Sequence, residues 1–126
     1  MTTEYKHKDV TETIIKAFYK VYNTLGYGFL EKVYENALFH ELKKIGFEIT
    51  RQVPISVYCD GIIMGEYFAD IMVNNLVIIE IKAVERLTKS NSLQLINYLK
   101  ANKIEVGLLL NFGEKPQITR KVYTNK

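Results

Sequence analysis

The stretch Phe68-Ala69-Asp70-Ile71-Met72-Val73-Asn74-Asn75-Leu76-Val77-Ile78-Ile79-Glu80-Ile81-Lys82 constrains the fold more than any other part of the chain. It reads as two apolar strands joined at Asn74-Asn75, residues that tolerate the left-handed backbone of a tight hairpin turn. Along the second strand, alternation sets Leu76, Ile78, Glu80 and Lys82 on one face and Val77, Ile79, Ile81 and Ala83 on the other. Both faces are apolar up to Glu80, which is the pattern of a strand covered on both sides. Three charges, Asp70, Glu80 and Lys82, interrupt this apolar background. Buried without partners, each would cost on the order of several kcal/mol. The turn can bring Asp70 and Glu80 side by side, and a divalent cation between them would offset the charge. Mg2+ suits the pair, because it takes hard oxygen ligands, usually one or two carboxylates plus water and phosphate. Lys82 then faces the same pocket, where it can orient or deprotonate an attacking water or neutralise charge developing on a phosphate.

Asp, a spacer and then Glu-x-Lys resembles the core of the PD-(D/E)xK nuclease superfamily, here Asp70…Glu80-Ile81-Lys82. Ala69 stands where a proline often precedes the aspartate. Alone this pattern is weak, and the competing reading is a Glu80–Lys82 surface pair on an edge strand. A second, more specific string is Gly28-Phe29-Leu30-Glu31-Lys32-Val33-Tyr34, which resembles the motif of the GxxExxY family, a small branch of that superfamily. The two motifs occur together and in the family's order. Gln52, Tyr58, Gln94 to Leu99 and Gly107 to Gly113 also look like family positions, so the similarity runs from about Val21 to Arg120.

The resemblance extends to site residues. In the RecB-like and lambda-exonuclease-like branches an acidic residue on the helix before the sheet joins the metal site, and Glu31 matches that role. The alternative for Glu31 is a first-turn glutamate stabilised by its helix dipole, worth ~0.3–1 kcal/mol. Glu35, one turn on, has no motif support and stays outside the candidate site. Gln94 and Tyr98 stand at i and i+4 on one helix face. A Gln-x-x-x-Tyr after the Glu-x-Lys strand is similar to a RecB-like feature, and such a pair can hold the lysine, a water or a phosphate oxygen. The competing reading makes them ordinary polar surface residues.

In chain order, residues up to Lys8 are polar and expected to fray, with Lys6-His7-Lys8 a solvated basic tip. Asp9 or Thr11 is expected to cap a first helix whose stripe is Val10, Ile14, Ile15, Phe18, Val21, Tyr22 and Leu25. Gly26-Tyr27-Gly28 turns into a second helix, about Leu30 to Ile45, buried through Val33, Ala37, Leu38 and Leu42 and stopped by Gly46. Residues Phe47 to Tyr58 alternate as a strand in which Pro54 marks an edge position or a strand start, and Asp60-Gly61 signals a hairpin. Ile62 to Val73 forms the next strand, with a bulge allowed at Gly65. After Lys82 a polar segment carries Arg86 and Lys89, and Ser90 or Asn91 is expected to cap a helix from Ser92 to Asn102. Glu105 to Phe112 reads as a buried strand, Gly113 to Pro116 as a turn, and Ile118 to Tyr123 as a short final strand or helix start. Neither histidine lies in a metal-like cluster.

The 126 residues fit one domain, 1–126. Its order, helix-helix-strand-strand-strand-helix-strand and a final strand, gives an α/β fold with a mixed central sheet flanked by helices; the superfamily resemblance implies the same arrangement as a restriction-endonuclease-like core. No apolar run approaches the ~20 residues of a membrane span, and Met1 to Lys6 does not read as a signal peptide. The single Cys59 excludes an internal disulfide or a thiolate zinc site and points to a reducing cytoplasm. A net charge of +3 is compatible with a polyanionic partner but does not by itself indicate nucleic acid.

Two function classes follow. The first is a nuclease dependent on Mg2+ or Mn2+, acting on nucleic acid, DNA first. Its ligands are Asp70, Glu80 and Glu31; Lys82 is catalytic with Gln94 and Tyr98 in support, and Arg86 and Lys89 contact the polyanion. The second is a catalytically weak module of the same fold that binds nucleic acid or a protein partner. The small size favours a homodimer or a partner for gripping a duplex.

Overall fold

The computed structural model describes residues 6–124, so the expected fraying of residues 1–5 lies outside the described residues. Eight elements follow in order: α1 (Lys8–Leu25), α2 (Glu31–Ile45), β1 (Ile49–Cys59), β2 (Ile62–Val73), β3 (Val77–Lys82), α3 (Lys89–Ala101), β4 (Val106–Phe112) and β5 (Pro116–Val122). The strands form one mixed sheet in the order β1-β2-β3-β4-β5, antiparallel except for β3 and β4, which α3 joins as a parallel pair. A meander thus feeds a crossover helix, as the order of apolar segments predicts.

Each face of the sheet has its own core. Phe18, Tyr34, Leu38 and Leu42 of α1 and α2 pack on Val77, Ile79 and Ile81 of β3. Leu95, Tyr98 and Leu99 of α3 pack on the opposite face with Ile78. The alternation read from β3 is therefore a division between two helical layers. Because β3 is the central strand, Glu80 is no edge-strand surface residue; it is 8% exposed.

Both hairpin turns follow from residue type. Asn74 and Asn75 have φ of 52° and 54°, and Asp60 and Gly61 have 54° and 75°, the left-handed pairs of a type I′ turn. The register slips between Val57 and Tyr58, opposite Gly65 and Ile63, where a bulge is expected. Pro54 sits on edge strand β1, where a missing N–H costs no ladder bond.

Several boundaries depart from expectation. The residue before α1 is His7, which makes no side-chain cap; Asp9 lies inside the first turn, and Thr11 donates to Lys8 O within the helix. Lys6 is not part of a solvated tip, since its ammonium pairs with Glu105. Helix α3 starts earlier than expected and is capped by Thr88 rather than Ser90 or Asn91. Asn91 instead completes a capping box, its side chain accepting from the Thr88 N–H. Val33 is exposed, while Tyr34, Glu35, Leu38 and Leu42 form the buried side of α2.

The GxxExxY string has a structural reason. Tyr34 stacks on Phe112 at 4.4 Å between ring centroids, and its hydroxyl donates to Gly26 O at 2.8 Å and accepts from Phe29 N–H at 3.2 Å. It thereby clamps the turn between α1 and α2, which Gly28 makes with φ of 109°.

Candidate functional site

Ladder pairing between β2 and β3 runs from Val73↔Val77 to Ile71↔Ile79 and stops there. The next facing residues are Asp70 and Glu80, and their side chains replace the missing ladder bonds. Glu80 Oε2 accepts the Asp70 N–H at 3.1 Å, and Asp70 Oδ2 accepts the Ile81 N–H at 2.7 Å. Each carboxylate is thus fixed by the other strand's backbone. Ala69 packs in the α3 layer whereas Ile71 packs in the α1/α2 layer, so the alternation of β2 changes phase at Asp70. This break opens the sheet where the two acids meet.

Opposite Asp70 on β1, Gln52 adopts φ of 50°, a left-handed conformation costly for a residue other than glycine. The kink aims its amide between two acids: Nε2 donates to Glu35 Oε1 at 3.0 Å and lies 3.5 Å from Asp70 Oδ1. The α2 carboxylate connected to the strand acids is therefore Glu35, 5% exposed, and not Glu31, which is exposed in the first turn. Glu35 Oε2 also receives Arg51 at 2.8 Å and 3.1 Å and Lys32 at 3.1 Å. Burial pushes the Glu35 carboxyl upward, but the bonds from Arg51, Lys32 and Gln52 outweigh it and hold its pKa below the usual value.

Glu80 behaves in the opposite way. Burial, reinforced by the Asp70 charge, raises its pKa to about 9, and the nearby Lys82 charge only partly counters this. Among the described residues Lys82 forms no ion pair; it is half-buried on the face it shares with Glu80 and acts through space.

On the α3 side, Gln94 Nε2 donates to Tyr98 Oη at 3.0 Å, so the two are joined rather than solvated singly. Burial and the charges of Glu80 and Asp70 raise the Tyr98 pKa to about 12, which keeps the phenol protonated beside the acids. Arg86 and Lys89 are both exposed, between β3 and the first turn of α3. Buried Asn111 anchors the segment that carries them: it receives the Val84 N–H and donates to Val84 O and to Gln117 Oε1, which accepts the Leu87 N–H. Gly113 is required there, because a Cβ would stand 2.1 Å from Val84 O.

Among the described residues no group of three or more His, Cys, Asp or Glu side chains is placed to share one ion. The donors at Asp70 and Glu80 fit a cation of the Mg2+ type, which needs only one or two protein carboxylates. Glu80 is the group most in need of one, being buried with its charge opposed. Glu35 is already neutralised by Arg51 and Lys32 and serves to orient Gln52. Its loss removes the carboxylate from Arg51, which keeps only Asn36 and the Phe39 ring, and from Gln52. Because Arg51 is partly exposed, Glu35→Ala lowers stability by about 1–3 kcal/mol in denaturant unfolding. Glu31→Ala changes stability by less than about 1 kcal/mol.

The family profile of the PD-(D/E)XK nuclease superfamily matches residues 8–122. No curated protein matches the sequence. Among solved structures, "Crystal structure of SSO0001" is similar, with a TM-score of 0.59 and 19% identity over 76% of this chain and 52% of that one. This chain therefore spans about half the length of that protein, and the likeness is one of fold. No helix among the described residues is long and apolar enough to cross a membrane.

Proposed function

The chain belongs to the PD-(D/E)XK nuclease superfamily, and we propose that it hydrolyses phosphodiester bonds of nucleic acid, DNA first, using Mg2+ or Mn2+ held by Asp70 and Glu80. Nucleases of this superfamily generally use divalent metal ions. The observation that carries the reading is a buried Glu80 facing a half-buried Asp70 on adjacent strands, each carboxylate held by a backbone N–H of the other's strand and the Asp70 charge opposing that of Glu80.

Bound at Asp70 and Glu80, the cation supplies Lewis-acid stabilisation at the phosphoryl group. The chain's own residues do the rest. Main-chain N–H bonds orient both carboxylates before substrate arrives, and Gln52 steadies Asp70 from the far side. Lys82 presents its ammonium on the Glu80 face, where it stabilises charge on the non-bridging phosphate oxygens. Tyr98 accepts from Gln94, which leaves its own O–H free to donate to a phosphate oxygen.

The test is nicking of supercoiled plasmid by the pure protein. Cleavage that requires added Mg2+ or Mn2+ and stops with EDTA supports the reading; binding without cleavage leaves the non-catalytic module. Arg86 and Lys89 give a separate expectation. If both contact phosphates, removing either by alanine weakens binding across all sequences and lowers the slope of log K against log salt by about 1. Unchanged slopes in both variants place the polyanion elsewhere.

A further inference from the structure

The β1–β2 hairpin reaches well past β3, since β1 and β2 pair from Ile49↔Val73 to Cys59↔Ile62 while β3 meets only residues 71–73. Its outer half stands over α3 and encloses a groove of about 750 Å3. We propose that this groove holds unpaired bases, so that the substrate is single-stranded nucleic acid or a duplex end opened into single strands. The substrate class rests on the nuclease reading of the neighbouring acids, but the groove's own chemistry argues for it independently.

Three phenol rings line the groove: Tyr58 and Tyr67 from the hairpin and Tyr98 from α3. Tyr58 is 61% exposed and Tyr67 47% exposed, so each offers an open ring face to a ligand. Tyr67 lies 5.7 Å from Tyr98 between ring centroids. Unpaired bases stack on such rings whatever their sequence, whereas a duplex keeps its base faces inside its own stack. The amides of Gln94 and Asn97 also line the groove and carry both donors and acceptors, as base edges require. The one charged side chain in the lining, Lys100, is cationic, which suits a phosphate backbone and disfavours an acidic ligand.

Continuity with the acids sets the direction of the strand. Tyr98 belongs to the groove wall and is also within the field of Glu80 and Asp70. A phosphate at the acids therefore places its neighbouring nucleoside against Tyr98 and Tyr67. Tyr67 is the stacking residue in this arrangement, and nothing in its contacts makes it necessary for the fold.

The test is fluorescence anisotropy in EDTA, with labelled oligothymidylate, an abasic oligonucleotide of equal phosphate number, and a blunt hairpin duplex. Oligothymidylate binds more tightly than either competitor. Tyr67→Ala and Tyr58→Ala each weaken it by about tenfold, typical for one stacked base. Tyr67→Phe, which keeps the ring, retains wild-type affinity, and duplex binding is unaffected by all three. Equal binding of the abasic strand, or no effect of either alanine variant, overturns the groove assignment even if plasmid nicking is observed. Ring-dependent binding by a protein that never cleaves sinks the nuclease reading and leaves the groove standing.

Discussion

Replacing Lys82 by alanine lowers cleavage by about 10²–10³, the usual cost of removing one preorganised stabilising group, and leaves divalent-cation affinity nearly unchanged. The separation follows from position. Lys82 shares the face of Glu80 but makes no hydrogen bond or ion pair with it, so its removal disturbs neither carboxylate's backbone anchor. What is lost is positive charge beside the phosphate. Asp70→Asn gives the contrasting result, with cation binding and cleavage both lost and the fold kept. An asparagine oxygen can still accept the Ile81 N–H, while the second negative charge disappears. Isothermal calorimetry with Mn2+ beside a nicking assay reads both quantities. Full activity in Lys82→Ala would trace the cleavage to a contaminant; unimpaired cation binding in Asp70→Asn would move the metal away from the strand pair.

Much of this site was legible in the sequence because its signals are local. Two asparagines between apolar runs fixed the hairpin, and the hairpin fixed Asp70 opposite Glu80 without any knowledge of the rest of the chain. The two-sided apolarity of β3 likewise foretold a strand between helical layers. Which of Glu31 and Glu35 packs beside the strand acids was not legible. Glu31-Tyr34-Leu38 and Glu35-Leu38-Leu42 both follow the i, i+3, i+7 spacing, so periodicity places both acids on the buried side. What separates them is the arrival of Arg51 and Gln52 from β1, a contact made far along the chain. The left-handed backbone at Gln52 was equally hidden, since glutamine carries no turn preference and the kink is held by the surrounding sheet. For α3, Thr88, Ser90 and Asn91 are all competent caps, and the chain uses the first because Asn91 can then close the box on it.

In the absence of divalent cations, thermal stability falls as pH rises from about 5 to about 9, and millimolar Mg2+ or Mn2+ reverses the trend. The sign comes from Glu80. Its folded pKa, raised to about 9 by burial and by Asp70, stands far above the ~4.3 of an unfolded glutamate. The folded chain therefore keeps a proton that the unfolded chain releases. The stabilisation this gives is complete below about pH 4.3 and is lost as pH rises through about 9, at no more than about 1.4 kcal/mol per pH unit. A cation binds the ionised form, so it displaces the proton and adds stability that grows with pH and with its concentration. Glu80→Gln removes the proton and the charge together. It flattens the metal-free profile, raises the melting temperature above wild type near pH 9, and abolishes the response to Mg2+. The measurement is a series of melting curves from pH 5 to 9, in EDTA and in Mg2+, for both proteins. Parallel wild-type and Glu80→Gln profiles in EDTA would mean that Glu80 is ionised in the folded chain and that some group other than a cation offsets its charge. Sensitivity to pH confined to the metal-free wild type would tie cation binding to the buried carboxylate rather than to any surface group.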